Sequence, residues 1–264
     1  MDLGLRGKVA IVAASSQGLG KATALALAKE GAKLVICSRH KNEINGTATE
    51  IQSQTDSEVH PVVADVCGTA DICKLVREAA VKYGSVHILV NNAGIPPTGD
   101  NILSVSDEEW QKAHDLTLMS MVRMTREVLP HMIRQKWGRI ITISSFAAKQ
   151  PIDEIILSAS IRPGIHGLTR VLSNEYAKHG ITVNTVCPGF ILTKRQEELS
   201  RIRCLEKKRN LDEYLADQAR SIPAGRFGKP EEIGEVVAFL ASERASYISG
   251  VNLLIDGGLV KGIH

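Results

Sequence analysis

Three polar residues in the middle of the chain are spaced so that they could act together on a substrate oxygen. Ser145 follows a run of apolar residues, Ser158 comes thirteen residues later, and Arg162 four residues after that. Because positions i and i+4 lie on one face of a helix, Ser158 and Arg162 can reach the same site. Hydroxyl groups donate hydrogen bonds to an oxyanion, and a guanidinium keeps a positive charge beside it. We therefore expect a site that stabilises negative charge.

A glycine-containing turn near the start of the chain has the composition of a phosphate-binding loop. Residues 13–20 read Ala-Ala-Ser-Ser-Gln-Gly-Leu-Gly and lie between an apolar run and a segment of helical period. Such a turn brings backbone N–H groups and a helix N-terminus onto a pyrophosphate. The methyl group of Ala14 makes a positive φ costly, so we expect this turn to be made at negative φ. The predicted cofactor contacts here are Ser15, Ser16, Gln17, Gly18, Leu19 and Gly20.

The end of the second apolar run indicates which dinucleotide is bound. Ser38 and Arg39 follow this run, and no acid stands beside them. NAD-specific sites place an Asp or Glu at this point to bind the ribose 2′-hydroxyl. A hydroxyl and a cation suit a 2′-phosphate instead, so we predict NADP(H). The alternative is that Arg39 is a solvated surface residue.

Apolar runs alternate with segments of helical period along the chain, and this alternation predicts the fold. The candidate strands are 9–13, 33–37, 59–63, 88–90, 138–144, 182–186 and 252–255. The candidate helices are 21–30, 43–54, 72–83, 109–134, 160–178 and 231–240. This order predicts a single α/β domain over residues 1–264, with a doubly wound parallel sheet and helices on both faces. We expect Pro163 in the first turn of its helix, which would begin near Arg162.

Residues 190–227 are long for a connection in a compact domain, and their middle has helical character. We expect a helical flap beside the active site. A surface excursion used only for oligomer contacts is the alternative.

Further segments, in the same order, resemble the short-chain dehydrogenase/reductase family along nearly the whole chain. They are Asp65-Val66 after the third strand, Asn91-Asn92-Ala93-Gly94 after the fourth, 187–193 after the sixth, and Asp256-Gly257-Gly258 near the end. The resemblance implies a Rossmann-type fold with an adenine contact at Asp65 and Val66. It also implies that the rest of the cofactor is held by Asn92, Ala93, Gly94, Arg162, Pro188, Gly189, Ile191 and Thr193.

The same resemblance identifies three departures at the catalytic positions. The family usually transfers hydride with a Ser, a Tyr and a Lys, the last two spaced YxxxK, and an upstream Asn. Here Ser145 is kept, but Ser158, Arg162 and Thr117 stand at the Tyr, Lys and Asn positions. A Ser hydroxyl is a poor acid and an arginine does not release a proton near neutral pH, so protonation by a tyrosine is not available. The proton donor is left open among Lys149, Asp153, Glu154 and Tyr214, each of which could equally be a solvated side chain.

The resemblance implies an NADP(H)-dependent oxidoreductase with a non-standard active site. The chain has the general pattern of the 3-oxoacyl-carrier-protein reductase type, and residues 238–250 are similar to a bacilysin-pathway member of the family that reduces a conjugated C=C bond. We therefore expect a small carbonyl or conjugated enone substrate. A catalytically inactive NADP(H)-binding sensor or assembly protein is the alternative. Because family members commonly form dimers or tetramers, we expect a homodimer or homotetramer here.

Composition argues against several other functions. The 264 residues carry a net charge of only +3, and the basic residues are scattered, so we expect no nucleic-acid partner. The five cysteines form no CxxC pair, which favours reduced thiols and no metal site. No apolar run approaches the ~20 residues needed to span a bilayer. The N-terminal residues lack the apolar core of a signal peptide, so we expect a cytoplasmic protein.

Overall fold

Seven parallel strands form one sheet in the computed structural model, which describes residues 2–94, 101–153, 155–206 and 208–262. The strands are β1 (Val9–Val12), β2 (Lys33–Ser38), β3 (Val59–Val63), β4 (Ile88–Asn91), β5 (Gly138–Ile143), β6 (Ile181–Pro188) and β7 (Asn252–Ile255). Their order across the sheet is β3-β2-β1-β4-β5-β6-β7, and every neighbouring pair is parallel. The predicted fold class is confirmed.

Helices cover both faces of this sheet. They are α1 (Gly18–Lys29), α2 (Lys41–Gln54), α3 (Thr69–Tyr83), α4 (Asp107–His114), α5 (Ser120–Gln135), α6 (Ile156–Tyr176), α7 (Lys194–Glu206), α8 (Leu211–Ser221) and α9 (Pro230–Ala241). None of the helices in the described ranges is long and apolar enough to cross a membrane.

Side chains of the central strands alternate between two hydrophobic clusters, one on each face. Ala10 and Val12 of β1 pack into the cluster that α1 and α9 cover, whereas Ile11 packs into the cluster that α3 and α5 cover. Successive residues of a strand point to opposite faces, so a strand buried on both sides must be apolar throughout. Burial on both faces of the sheet therefore explains the long apolar runs in the sequence.

The strand order reverses between β1 and β4. From β1 the chain builds outward through β2 to β3, then returns to β4 and builds the other half of the sheet. In sheets of this type, ligands bind in the crevice that forms at the carboxyl ends of the strands where the order reverses. The fold thus places the ends of β1 and β4 at the centre of any binding site.

Two helix predictions are wrong in their boundaries. The helix α6 begins at Ile156, so Pro163 lies inside it and not in its first turn. Leu157 and Ile161 are buried against Ala113 of α4, and this packing extends the helix toward its N-terminus. The proline costs the hydrogen bond to the carbonyl of residue 159. As a result, Ser158 and Arg162 belong to the same regular helix.

The helix predicted over residues 109–134 is interrupted. A π-helical segment, Asp115–Met119, separates α4 from α5. Segments of this kind insert an extra residue into a helix and are frequent at functional sites. Here the segment contains Thr117, one of the predicted catalytic residues.

The segment 190–227 contains two helices, α7 and α8. Cys204 of α7 is buried, and its thiol lies 3.9 Å from the Asn210 carbonyl oxygen before α8. The function of this segment as a flap stays a prediction.

Candidate active site

A cleft of about 630 Å³ lies at the carboxyl ends of the strands, where the sheet order reverses. Most of the predicted cofactor residues line it, namely Ser16, Gln17, Gly18, Leu19, Ser38, Arg39, Asp65, Val66, Asn92, Ala93, Gly94, Arg162, Pro188, Gly189, Ile191 and Thr193. Ser15 and Gly20 do not line the cleft. Their contribution is to the shape of the turn between β1 and α1.

Ala14 adopts a left-handed conformation in this turn, with φ of 47°, so the expectation of a negative φ is wrong. Hydrogen bonds on both sides hold the turn in place. Asn92 Nδ2 donates to the Ala14 carbonyl oxygen over 3.0 Å, and Ser15 Oγ donates to the Val12 carbonyl oxygen over 2.9 Å. The Cys37 amide of β2 donates to Ser15 Oγ over 3.2 Å. These bonds offset the steric cost of the Ala14 methyl group in the left-handed region.

A glycine is required at position 20 because α1 approaches the same turn closely. A Cβ atom at this position would lie 2.5 Å from the Ala14 carbonyl oxygen and 2.9 Å from Ser15 Cα. Both of these atoms belong to the backbone and cannot rotate away. The first turn of α1 therefore lies directly against the loop, and its free N–H groups are available to an anion in the cleft.

The end of the cleft beside β2 carries both a cation and an acid. Arg39 is exposed and lines the cleft, while the Ser38 hydroxyl donates to the His40 carbonyl oxygen over 3.2 Å. Glu43, in the first turn of α2, also lines the cleft and accepts a hydrogen bond from Ser16 Oγ over 3.2 Å. Glu43 is not among the residues predicted from the sequence, and because Arg39 precedes α2, helical spacing does not relate the two.

The catalytic end of the cleft presents two hydroxyl groups. Ser145 follows β5, and its Oγ accepts a hydrogen bond from the Ala147 amide over 3.1 Å. Ser158 lies on α6, and its Oγ accepts a hydrogen bond from Arg162 Nε over 2.9 Å. Both serines line the cleft. Neither hydroxyl donates a hydrogen bond to any of the described residues, so each can donate one to a ligand.

Arg162 is buried, with only 7% of its surface exposed. Besides its bond to Ser158, it donates from Nη2 to the Gly94 carbonyl oxygen at the end of the β4 loop. Burial lowers the pKa of this guanidinium to about 10, so it remains a cation near neutral pH. No carboxylate in the described ranges forms a salt bridge with it.

Thr117 lies behind the cleft wall and not on it. It is 2% exposed, and its Oγ1 has no hydrogen-bond partner among the described residues. A Cβ atom on Gly94 would lie 3.1 Å from this oxygen, so Thr117 packs against the backbone of Gly94. Its predicted catalytic role would therefore have to be indirect.

None of the other candidate proton donors in the described ranges lines the cleft. Tyr214 in α8 accepts a hydrogen bond from Gln218 Nε2 over 3.2 Å, and Asp153 is exposed. Lys149 is partly buried near Ser145. Glu154 lies outside the described residues. The catalytic end of the cleft thus offers hydroxyls and a guanidinium as its donors.

A buried thiol and a half-buried imidazole lie close together near Ser145. Cys187 Sγ of β6 lies 3.4 Å from His166 Nε2 of α6. Burial lowers the pKa of His166 to about 4, with smaller contributions from the charges of Lys149 and Arg162. Burial raises the pKa of Cys187 to about 12. Both groups are therefore neutral near pH 7.

Comparison with known proteins agrees with this geometry. Residues 13–260 match the family model described as enoyl-(acyl carrier protein) reductase. The chain is also 36% identical to the 3-oxoacyl-[acyl-carrier-protein] reductase FabG of Thermotoga maritima over 257 residues, which is 97% of this chain and 99% of that protein. The chain belongs to the short-chain dehydrogenase/reductase family. The predicted resemblance is confirmed, and with it the assignment of the chain to a family of oxidoreductases.

Two solved structures of the short-chain dehydrogenase/reductase family show how far the similarity extends. L-sorbose reductase from Gluconobacter frateurii, crystallised with NADPH and L-sorbose, superposes with a TM-score of 0.95 at 32% identity and full coverage of both chains. YwfH, an NADPH-dependent reductase of bacilysin biosynthesis, superposes with a TM-score of 0.91 at 29% identity. The alignment with YwfH covers 97% of this chain and 99% of that one.

Proposed function

We propose that the protein is an NADP(H)-dependent reductase that acts on conjugated enones or other substrates whose reduction produces a stabilised oxyanion. Two features support the cofactor. Arg39 at the end of β2 offers a cation for a 2′-phosphate, and the free N–H groups of α1 face the same cleft. When bound, NADPH supplies a hydride to the substrate.

The substrate class rests on one observation: the donors at the catalytic end are hydroxyls and a buried guanidinium. Ser145 and Ser158 can each donate a hydrogen bond to a substrate oxygen, and Arg162 keeps a positive charge directly behind Ser158. None of these groups releases a proton readily near neutral pH. The arrangement suits the stabilisation of an oxyanion better than its immediate protonation.

A conjugated enone fits this requirement. Hydride addition to its β-carbon shifts the C=C electron pair toward the carbonyl, so that an enolate forms with its charge on oxygen. The two serine hydroxyls would hold that oxygen. Water can then protonate the α-carbon in a separate step, which completes the reduction of the C=C bond. A simple ketone would instead give an alkoxide, which needs a proton at once.

A substrate panel tests the proposal. Oxidation of NADPH, followed by its absorbance, is measured with matched pairs of saturated ketones and their α,β-unsaturated analogues, and with quinones. We expect turnover with the unsaturated members and little or none with the saturated ketones. Faster reduction of saturated ketones would contradict the substrate class. Tight NADPH binding with no turnover on the whole panel would favour a cofactor-binding sensor or assembly protein.

A second test restores the residues of the family pattern. The double variant Ser158→Tyr with Arg162→Lys supplies an acid whose pKa a nearby ammonium can lower. We expect it to create or raise activity on saturated ketones. Unchanged ketone activity, with NADPH binding intact, would mean that other residues of the site also prevent this chemistry.

We further propose that the protein forms a homodimer or homotetramer through α5 and α6. These helices border an apolar groove lined by Val122, Leu129, Leu168, Leu172 and Tyr176 among others. Val171 beside it is 59% exposed, so that the groove and this side chain together form an apolar surface that a second copy could cover. Sedimentation of the wild type and of Val171→Glu would test this, with the charged variant expected to dissociate.

A further inference from the structure

We propose that Thr117 is a positioning residue for Ser158, acting through Gly94 and Arg162. The short side chain at position 117 leaves Gly94 where the Arg162 guanidinium can reach its carbonyl oxygen. That contact in turn aims Arg162 Nε at Ser158. As far as the role of Ser158 is concerned, the inference rests on the function proposed above.

The contacts of Arg162 provide the first step of the argument. One guanidinium joins two elements, because Nε donates to Ser158 within α6 and Nη2 donates to Gly94 after β4. A guanidinium is planar and rigid, so fixing Nη2 also fixes the direction of Nε–H. If the contact with Gly94 were lost, the side chain would be free to rotate away from Ser158. The carbonyl of Gly94 thus determines how the Ser158 hydroxyl is oriented.

The packing of Thr117 provides the second step. Gly94 has φ of 122°, a conformation that other residues rarely adopt, and its Cα faces Thr117. A Cβ at Gly94 would lie 3.1 Å from Thr117 Oγ1 and 3.4 Å from Thr117 Cα, so the two backbones are close together. An Asn at position 117 would extend one bond beyond the present Oγ1. It would have to push Gly94, and its carbonyl oxygen, away from Arg162.

The third step concerns the side chain at position 162. A lysine ends in a single ammonium nitrogen and cannot reproduce the two separated donors, Nε and Nη2, that bind Ser158 and Gly94. With a lysine there, nothing requires Gly94 to stay close, and the larger Asn is tolerated. Thr117 and Arg162 are therefore coupled through Gly94, although they lie on different helical segments of the chain.

A double-mutant cycle tests this coupling. The four proteins are the wild type, Thr117→Asn, Arg162→Lys and the double variant, and the measurements are NADPH affinity and kcat and KM on any substrate that the panel identifies. We expect Thr117→Asn to lower kcat by at least about 10-fold in the wild-type background and by less than about 3-fold in the Arg162→Lys background, since residues that share a contact are not additive. Additive effects in all measurements would overturn the proposal.

Two further variants separate positioning from a general structural effect. Thr117→Val keeps the size of the side chain and removes its hydroxyl, so we expect a change in kcat of less than about 2-fold. A large loss with this variant would overturn the proposal, because the hydroxyl and not the size would then be responsible. Thr182, a buried threonine whose Oγ1 also has no hydrogen-bond partner among the described residues, provides the control. Thr182→Asn should lower stability to a similar degree but show no coupling with Arg162→Lys.

The outcomes also distinguish this inference from the proposed function. If no substrate is found, the cycle is still measured on NADPH affinity, because Arg162 lines the cofactor cleft. Coupling in affinity without turnover would support the positioning role and contradict the proposed reaction. Turnover on enones without coupling would support the proposed reaction and overturn the positioning role. If Thr117→Asn does not fold while the double variant does, that rescue is itself the expected coupling.

Discussion

The β1–α1 turn and the catalytic end of α6 border one cleft but are built in different ways. In the turn, backbone groups and small side chains form the contacts: Asn92 binds the Ala14 carbonyl, and Ser15 joins β1 to β2. At the other end, the proposed chemistry depends on the side chains of Ser145, Ser158 and Arg162. Two buried donors in or behind this end, Arg162 Nη1 and Thr117 Oγ1, have no partner among the described residues.

The two regions should respond differently to substitution. A cleft shaped by backbone accepts a side chain at a left-handed position such as Ala14, because surrounding hydrogen bonds hold the same path. A site that depends on the pKa of one hydroxyl changes its chemistry when that residue changes. Binding can therefore persist through substitutions that redirect the reaction.

The largest effect is expected in the turn. Gly20→Ala introduces a Cβ only 2.5 Å from the Ala14 carbonyl oxygen, and the backbone must move to relieve this contact. Overpacking typically costs about 1–3 kcal/mol, and a contact this short with backbone atoms lies at the severe end, so we expect roughly 100-fold weaker NADPH binding and a lower Tm. Fluorescence titration and thermal unfolding would measure both. Gly46→Ala is the control, since a Cβ there meets nothing within 4 Å, and it should leave binding unchanged.

The next effect concerns the catalytic end. Ser145→Ala removes a hydroxyl that lines the cleft, and loss of one oxyanion donor typically lowers turnover by ~10²–10³. We expect at least a ~10-fold loss in kcat with NADPH affinity nearly unchanged. Ser144 also lines the cleft, but its hydroxyl oxygen is buried and without a partner among the described residues, so we expect a smaller loss in kcat for Ser144→Ala. Equal kinetics for both variants and the wild type would remove Ser145 from the catalytic assignment.

A smaller effect is expected for cofactor preference. Arg39→Asp replaces the cation at the end of β2 with the acid that suits a free ribose 2′-hydroxyl. Loss of one charge-assisted hydrogen bond should shift the NADPH/NADH preference by about 1–3 kcal/mol toward NADH. Arg77→Asp, an exposed change on α3, controls for net charge. Equal affinity of the wild type for both cofactors would contradict the NADP(H) assignment.

The smallest effect is on stability as a function of pH. The folded-state pKa of His166 is lowered to about 4, so between that value and its ordinary value of 6.5 the unfolded chain binds more protons. Stability should therefore fall as the pH falls through this window. His166→Gln should make Tm depend less on pH there, by about 2–4 °C. His87 and His131 also have lowered pKa values, so some dependence should remain. A Tm profile identical to that of the wild type would show that His166 does not titrate as described.

The sequence predicted the strand boundaries to within about two residues, because most strands are near-continuous apolar runs. The predicted start of α6 was wrong because it relied on Pro163, a local signal. The burial of Leu157 and Ile161 against α4, which extends the helix, exists only in the tertiary structure. The predicted sign of φ at Ala14 was wrong for the same reason, because the residue that binds its carbonyl oxygen, Asn92, is far away in sequence. The sequence spacing of Ser145, Ser158 and Arg162 predicted that they line one site, but it could not predict the contact between Arg162 and Gly94.

The last strand has a consequence for the order in which the protein matures during synthesis. Gly189 of the cleft wall donates from its amide to the Ile255 carbonyl oxygen over 2.9 Å, and its Cα lies against Asp256. Ala224, after α8, likewise donates to the Gly257 carbonyl oxygen over 3.0 Å. Synthesis runs from the N-terminus, so β1 and its glycine turn are synthesised long before these partners. The wall formed by Pro188 and Gly189 gains these contacts only after residues 255–257 have left the ribosome, and a chain terminated before them would lack this support of the cleft.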